Sequence, residues 1–339
     1  MLIPKNYLFI LIMAFCQISC SEQQAPKAYQ LSGSTMGTTY NITIVGEKLL
    51  DPALINDALE DIEATMSTYR LDSELMQLNA APVNTWVSVS PSLHEVLLIS
   101  EEISILSSGA FDITVYPLVD LWGFGPTRRD NNGRPDSADI QARMENIGFQ
   151  NLIISKDRKA VFKKKMISLD LSAVAKGYAV DVLASLLEAN NISSYLVEIG
   201  GEISTKGHNA EGVLWHVAIE APVRMAQSRT PLKIIELSGL GLASSGDYRK
   251  YIEVDDAYYS HTIDPRSGNP INHDLASVTV IAETTAIADA LATAFNVMGL
   301  EKAMTIANNN NIPAYFILKK ADGFVESFSA DFAQFLHEN

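Results

Sequence analysis

The sequence predicts an α+β fold. Strand-like segments outnumber helical ones in the second half of the chain. Helical and strand segments do not alternate in the regular βαβ order that a doubly wound parallel sheet requires. The chain has 339 residues, 47% of them hydrophobic, enough to bury one large core or two smaller ones.

The elements follow in order. Thr39 to Val45, "TYNITIV", alternates as a strand does. The next segment, from Asp51, reads as a helix: Asp51 can cap it, Pro52 suits its first position, and Ile55, Leu59, Ile62 and Met66 recur at helical spacing. Ser90 and Pro91 repeat the device for a helix that Gly109 ends, with His94 placed as surface decoration. Gly109 to Gly125 mixes strand formers, a proline and aromatics, and a polar loop, "GPTRRDNNGRPDSAD", follows. Residues 151–155 and 160–162 form a hairpin around "KDRK". "SLDLSAVAKGYAVDVLASLLEAN" starts as strand or turn and becomes a helix with a stripe of Val174, Tyr178, Val182 and Leu186. "SYLVEIGGEI" ends a strand in paired glycines. "WHVAIEAP", "TPLKIIELSG" and "GLASSGDYRKYIEVDD" suggest antiparallel strands. A strand and a helix share "ASVTVIAETTAIADALATAFNVMG", and the four asparagines at 308–311 read as a loop. "AYFILKKADGFVESFS" closes as a hairpin about an Asp-Gly turn.

The formal net charge is −15, from 25 basic and 40 acidic residues, which argues against a general nucleic-acid binder. Residues 1–19 read as a lipoprotein-type signal peptide. Lys5 precedes an apolar run from Tyr7 to Phe15, too short to span a bilayer, and Cys20 follows as the lipidation site, although Gln17 stands where an aliphatic residue is usual. Residues 20–28 read as a tether and 29–339 as the working domain. Cys16 and Cys20 are the only cysteines, so the mature domain has no internal disulfide, thiol nucleophile or cysteine metal site.

Four stretches carry chemistry. Asp289 and Thr293 in "ADALATA" are four apart and share a helix face. With a backbone carbonyl and substrate oxygens they could complete a magnesium shell, or they could be a capping aspartate and a threonine bonded to its own backbone. Asp170 and Lys176 flank small residues that let backbone approach a ligand, and the lysine could meet a phosphate, that carboxylate or only solvent. Tyr248 and Arg249 are either ligand contacts or strand surface. "HTIDPRSGNPI" packs His261, Asp264 and Arg266 into a turn-rich loop, where His261 could move a proton and Arg266 fork onto a phosphate, or the polar groups could simply satisfy one another. The common nucleotide fingerprints "GxGxxG" and "GxxxxGK[ST]" are absent.

Together "STMGTTY", "MSTYR", "SGAFDITVYPLVDLWGFG", "DLSAVAKGYAVD", "LVEIGGEI", "SGDYR", "HTIDPRSGNPI" and "ADALATA" resemble the ApbE family of FAD:protein FMN transferases, in the family's order, over roughly residues 30–300. The resemblance implies an α+β fold with FAD in a cleft and magnesium as the metal. It implies transfer of FMN from FAD to a threonine or serine hydroxyl of a target protein, with AMP leaving. Targets in such systems are subunits of the sodium-translocating NADH:quinone reductase (Nqr) and the related Rnf complex. It also implies an exported, lipid-anchored protein on the periplasmic side of a bacterial envelope. An FAD-binding lipoprotein without transfer, and an FAD pyrophosphatase yielding FMN and AMP, are the other readings.

By the same resemblance, Met36, Tyr69, Ala110, Phe111, Asp112, Asp170, Lys176 and Ile263 contact the flavin nucleotide, and Arg266 steadies the loop or a phosphate. Ala173 offers its carbonyl to the metal, Asp289 and Thr293 their side chains, and His261 is the residue for chemistry.

Overall fold

A computed structural model describes residues 26–127, 134–223, 230–246, 251–254 and 257–336. The leader, Cys20, Tyr248 and Arg249 therefore lie outside the described residues.

The chain opens with a hairpin of β1 (Ala28–Thr35) and β2 (Thr38–Val45), so the first strand begins on the last residue of the expected tether. Helix α1 (Pro52–Met66) starts as its sequence dictates, with the Asp51 carboxylate accepting from Ala53 N at 3.0 Å. Next come α2 (Glu74–Ala80), β3 (Trp86–Ser88) and α3 (Pro91–Leu106), the last capped by Ser90. The irregular segment after Gly109 becomes a short 3-10 turn and α4 (Tyr116–Leu121). Part of the expected polar loop is helical, because Asp136 caps α5 (Ser137–Met144). The hairpin around "KDRK" forms from β4 (Leu152–Ile154) and β5 (Ala160–Lys163), followed by α6 (Ala175–Ala189). The antiparallel run then comprises β6 (Tyr195–Ile199), β7 (Glu202–Lys206), β8 (Trp215–Glu220), β9 (Pro231–Leu237) and β10 (Gly241–Gly246). Two short ribbons follow, β11 (Tyr251–Val254) with β12 (Ala257–Ser260), and β13 (Ile263–Asp264) with β14 (Asn269–Pro270). The chain closes with β15 (Leu275–Ala282), α7 (Thr285–Met298), α8 (Leu300–Asn309), β16 (Ala314–Lys320) and β17 (Gly323–Phe328).

Eight strands make one sheet in the order β1-β2-β6-β7-β10-β15-β16-β17, and every neighbouring pair is antiparallel. The fold is α+β, as its sequence predicts. Successive side chains of a strand point to opposite faces. Ala243, Val280 and Phe316 therefore join the larger core with α1, α3, α6 and α7, while Leu242, Ile281 and Ile317 join a second core under β8, β9 and Phe332. That two-sided burial explains why β15 is buried almost throughout. A third cluster of Leu118, Leu121, Trp122, Ile140 and Ile263 ties α4 and α5 to β13.

Three local expectations change. His94 is buried, not surface decoration: its Nε2 lies 2.7 Å from Ser155 O, a partner 61 residues away. The stripe of α6 turns away from the expected one. Val174 and Tyr178 are buried, but Val182 and Leu186 are only half-buried, and Leu183 and Leu187 take the core positions. Four-residue steps drift about 40° each around a 3.6-residue helix, so a stripe drawn that way leaves the core after two turns. Asn308 and Asn309 belong to α8, which ends there.

Candidate active site

The site is assembled around the N-termini of α6 and α7. Thr284 caps α7 through Ile287 N at 3.3 Å, and Asp181 of α6 accepts from Thr285 N and Ala286 N, both at 2.8 Å. Burial pushes the Asp181 carboxyl up, and these hydrogen bonds oppose the shift. Two glycines let backbone meet backbone here. A Cβ on Gly177 would come within 2.4 Å of Thr285 O, and one on Gly241 within 2.4 Å of Thr285 N. Gly177→Ala should therefore destabilise the fold by about 1–3 kcal/mol, since the obstruction is main chain rather than a movable side chain. Thermal unfolding would read this as a lower midpoint, and an unchanged midpoint would contradict the packing.

So fixed, α7 turns Asp289 inward, 5% exposed, with Thr293 one turn further on. Val174 caps α6 with no side-chain hydrogen bond. Asp289 does so from across the interface, its Oδ2 accepting from Gly177 N at 3.1 Å. The same oxygen lies 3.4 Å from Lys176 Nζ, whose nearer partner is Glu202 Oε1 at 3.1 Å. Lys176 thus meets Asp289 and Glu202 rather than Asp170. Burial disfavours its charge, but Asp289 and then Glu202 outweigh burial and the ammonium is held above its ordinary range. Burial pushes the Glu202 carboxyl up and Lys176 pulls it back.

Asp170 is 6% exposed; its Oδ1 accepts from Ser172 N at 2.7 Å, and burial pushes its carboxyl up. Its own N–H donates to Ile113 O, joining this loop to the segment of Ala110, Phe111 and Asp112. The Asp112 side chain is internally committed: Oδ1 accepts from Thr114 N and Thr114 Oγ1, and Oδ2 from Phe149 N. Burial pushes this carboxyl up as well.

One cleft gathers some of these parts, while Asp289, Lys176, His261, Met36 and Tyr69 are not among its lining residues. Its wall contains Ala110, Phe111 and Asp112 from the turn after α3, with Asp170, Ser172 and Ala173 from the loop before α6. Ile263 and Pro265 of the His261 loop and Thr293 and Val297 of α7 complete the lining. It is a shallow cleft open to solvent, with a cavity volume of about 50 Å³.

Groups other than the imidazole also brace the His261 loop. Trp122 Nε1 donates to Gly268 O at 2.9 Å, and the Trp122 ring packs 5.5 Å from that of Tyr259. Arg266 does fork, but onto Asp264 of its own loop, Nε to Oδ1 at 2.8 Å and Nη2 to Oδ2 at 2.9 Å. Its expected phosphate fork is thus occupied by a loop brace. Phe124 meets the His261 imidazole edge-on at 6.2 Å.

Met36 and Gly37 form the two-residue turn between β1 and β2, with φ of 48° and 70°. A non-glycine residue at the first position of such a turn is strained. Glu63 of α1 holds it there, Oε1 accepting from Met36 N at 2.9 Å and Thr35 Oγ1 at 3.0 Å. Tyr69 is exposed, its hydroxyl donating to Phe124 O at 3.2 Å. Partial burial, then Asp170 and Asp120, raise the pKa of that phenol, and the same carboxylates act on Tyr116. Glu63, Tyr116, Phe124 and Glu202 were not singled out from sequence. Glu202 had one local sign, a carboxylate directly after paired glycines.

Among the described residues no group of three or more His, Cys, Asp and Glu side chains could hold a metal ion. A metal here would rely on one carboxylate, one hydroxyl, a carbonyl and oxygens of the substrate. The donors suit that arrangement. Asp289 and Thr293 are hard oxygen groups, Asp289 already attracts the Lys176 ammonium, and the Ala173 carbonyl accepts no hydrogen bond among the described residues.

The fold is thus an antiparallel α+β one, with a cleft lined by the loop before α6, by α7 and by the His261 loop. Residues 36–316 match the model of the ApbE family. The FAD:protein FMN transferase of Haemophilus influenzae is 40% identical over 332 residues, covering 94% of each chain. That of Vibrio cholerae is 41% identical over 343 residues, covering 98% of this chain and 99% of the relative. Among solved structures, the flavin transferase ApbE of Vibrio cholerae superposes with a TM-score of 0.84 at 41% identity, over 92% of this chain and 100% of that one. The Pseudomonas stutzeri flavinyl transferase ApbE, in its apo form, gives 0.83 at 38% identity over 93% and 98%. The chain belongs to the ApbE family, and it is an enzyme.

Proposed function

We propose that this chain is a magnesium-dependent FAD:protein FMN transferase, moving FMN from FAD to a threonine or serine hydroxyl of a target protein with release of AMP. The observation that carries the reading is the single cleft lined by Asp170, Ala173, Ile263 and Thr293, parts that lie up to 123 residues apart in sequence (170 to 293). Names and lengths of the relatives support the transfer of FMN.

The reaction breaks a pyrophosphate P–O bond and forms a P–O bond to the acceptor. Asp289, Thr293 and the Ala173 carbonyl would hold magnesium, which when bound neutralises charge on the phosphate oxygens. His261 takes the proton of the acceptor hydroxyl as oxygen closes on phosphorus. The Asp264–Arg266 brace and Trp122 keep that imidazole in place. Met36, Tyr69 and the Ala110–Asp112 segment bind the flavin nucleotide, and Lys176 balances the carboxylates beside it. The acceptor's side chain must displace water, since water in its place would yield free FMN and AMP.

Nqr- or Rnf-type subunits are the proposed acceptors. Residues 1–19 would act as a signal and Cys20 as a lipid anchor, placing the domain from residue 29 on the periplasmic side of the envelope. Among the described residues no helix is long and apolar enough to cross a membrane. One assay tests the reading: purified protein, FAD and Mg²⁺, with and without an Rnf- or Nqr-type acceptor domain. Flavin fluorescence fixed to the acceptor in a denaturing gel is the expected result. Free FMN and AMP without labelled acceptor would make the chain a pyrophosphatase, and intact FAD in both tubes a binder.

A further inference from the structure

We infer that Glu202 is a positioning residue: it gives the Lys176 ammonium a second seat, so that Asp289 can accept a divalent cation. This rests on the metal reading of Asp289.

Glu202 opens β7 directly after Gly200 and Gly201 and is 4% exposed. A carboxylate so buried is costly unless paired. Only half of it is paired. Oε1 lies 3.1 Å from Lys176 Nζ, while Oε2 has no hydrogen-bond partner among the described residues. Oε2 faces the glycine turn, where a Cβ on Gly200 would approach it to 3.4 Å. The turn itself is fixed separately, by Glu198 Oε1 accepting from Gly201 N at 2.8 Å. Glu202 is therefore not needed to shape the strand entry.

The three groups hold one ammonium between two carboxylates. Lys176 Nζ is 3.1 Å from Glu202 and 3.4 Å from Asp289. An ammonium and a divalent cation on the same Asp289 oxygens repel strongly in a buried site. With Asp289 as its only partner, Lys176 would be a resident competitor for the metal. Glu202 removes that conflict, because the ammonium can stay inside the site, fully paired, when Asp289 turns to another cation. The unpartnered Oε2 is the free capacity this exchange needs.

The test is magnesium binding to the full chain, followed by titration calorimetry with MgCl₂ in the absence and presence of FAD, with thermal unfolding as a separate readout. Glu202→Gln should weaken magnesium binding about tenfold, the scale of a second-sphere partner of a metal ligand. Lys176→Met should strengthen it, and in that background Glu202→Gln should have much less effect. This non-additivity is what a role through the lysine requires. Equal weakening by Glu202→Gln in both backgrounds would leave Glu202 only a distant charge and overturn the inference. So would unchanged affinity in Glu202→Gln with a lowered unfolding midpoint, the sign of a merely structural residue. Asp289→Asn separates the two readings. If it abolishes magnesium binding while Glu202→Gln changes nothing, only the lysine inference fails. If it binds magnesium like the parent, or the parent binds none, both fail.

Discussion

Asp289→Ala will abolish magnesium-dependent FMN transfer while the protein stays folded. The carboxylate is the only anionic side chain among the proposed metal donors, since Thr293 and the Ala173 carbonyl are neutral. Without it a hard divalent ion has no fixed counter-charge from the protein. Removing metal stabilisation worth several kcal/mol at the phosphate corresponds to a loss of roughly three powers of ten in rate. The structural cost is smaller. Alanine leaves Gly177 N without its acceptor and Lys176 with Glu202 alone. An unsatisfied buried donor costs about 1–3 kcal/mol, within the stability of an ordinary domain. Labelled-acceptor formation and far-ultraviolet circular dichroism should be measured on the same sample, with Asp289→Asn as a closer isostere. Transfer at the parental rate by either folded variant would refute the assignment.

What could be read beforehand divides by sequence separation. Helix starts at Asp51-Pro52 and Ser90-Pro91 were legible because a cap acts within three residues. The Asp289–Thr293 face was legible for the same local reason, whereas the closing hairpin turns at Ala321-Asp322, with Gly323 already in β17, rather than at the expected Asp-Gly pair. Contacts between distant segments were not. His94 looked like surface until the fold brought Ser155 to it, and Lys176 found partners at Glu202 and Asp289, the latter 113 residues away. Arg266 is the instructive case. Its fork chemistry was legible, but whether a phosphate or a neighbouring carboxylate fills the fork depends on how the turn folds back, and it folds onto Asp264. The motifs that mark the family supplied the long-range grouping that periodicity alone lacks, because residues sharing one cleft have no fixed spacing in the chain.

His261→Ala will bind FAD as the parent does and lose most of its turnover. General-base assistance contributes about 10²–10⁴-fold, so the fall in kcat should lie in that range. The loop gives the reason to expect a clean effect. Its shape depends on the Trp122–Gly268 hydrogen bond, the Asp264–Arg266 fork and the Ile263–Pro270 pairing, none of which uses the imidazole. The deletion costs at least the edge contact with Phe124, so thermal unfolding should be measured beside turnover. If the imidazole acts on the acceptor proton, kcat falls while FAD affinity, followed by flavin fluorescence quenching, is unchanged. If it chiefly holds FAD, affinity falls instead. Added free imidazole should partly restore the alanine variant, since a diffusing base can enter the vacated space; a glutamine at the same position, unable to take up a proton, should not recover activity. Parental turnover in His261→Ala would remove the residue from the chemistry and leave the cleft a metal-dependent site without this base.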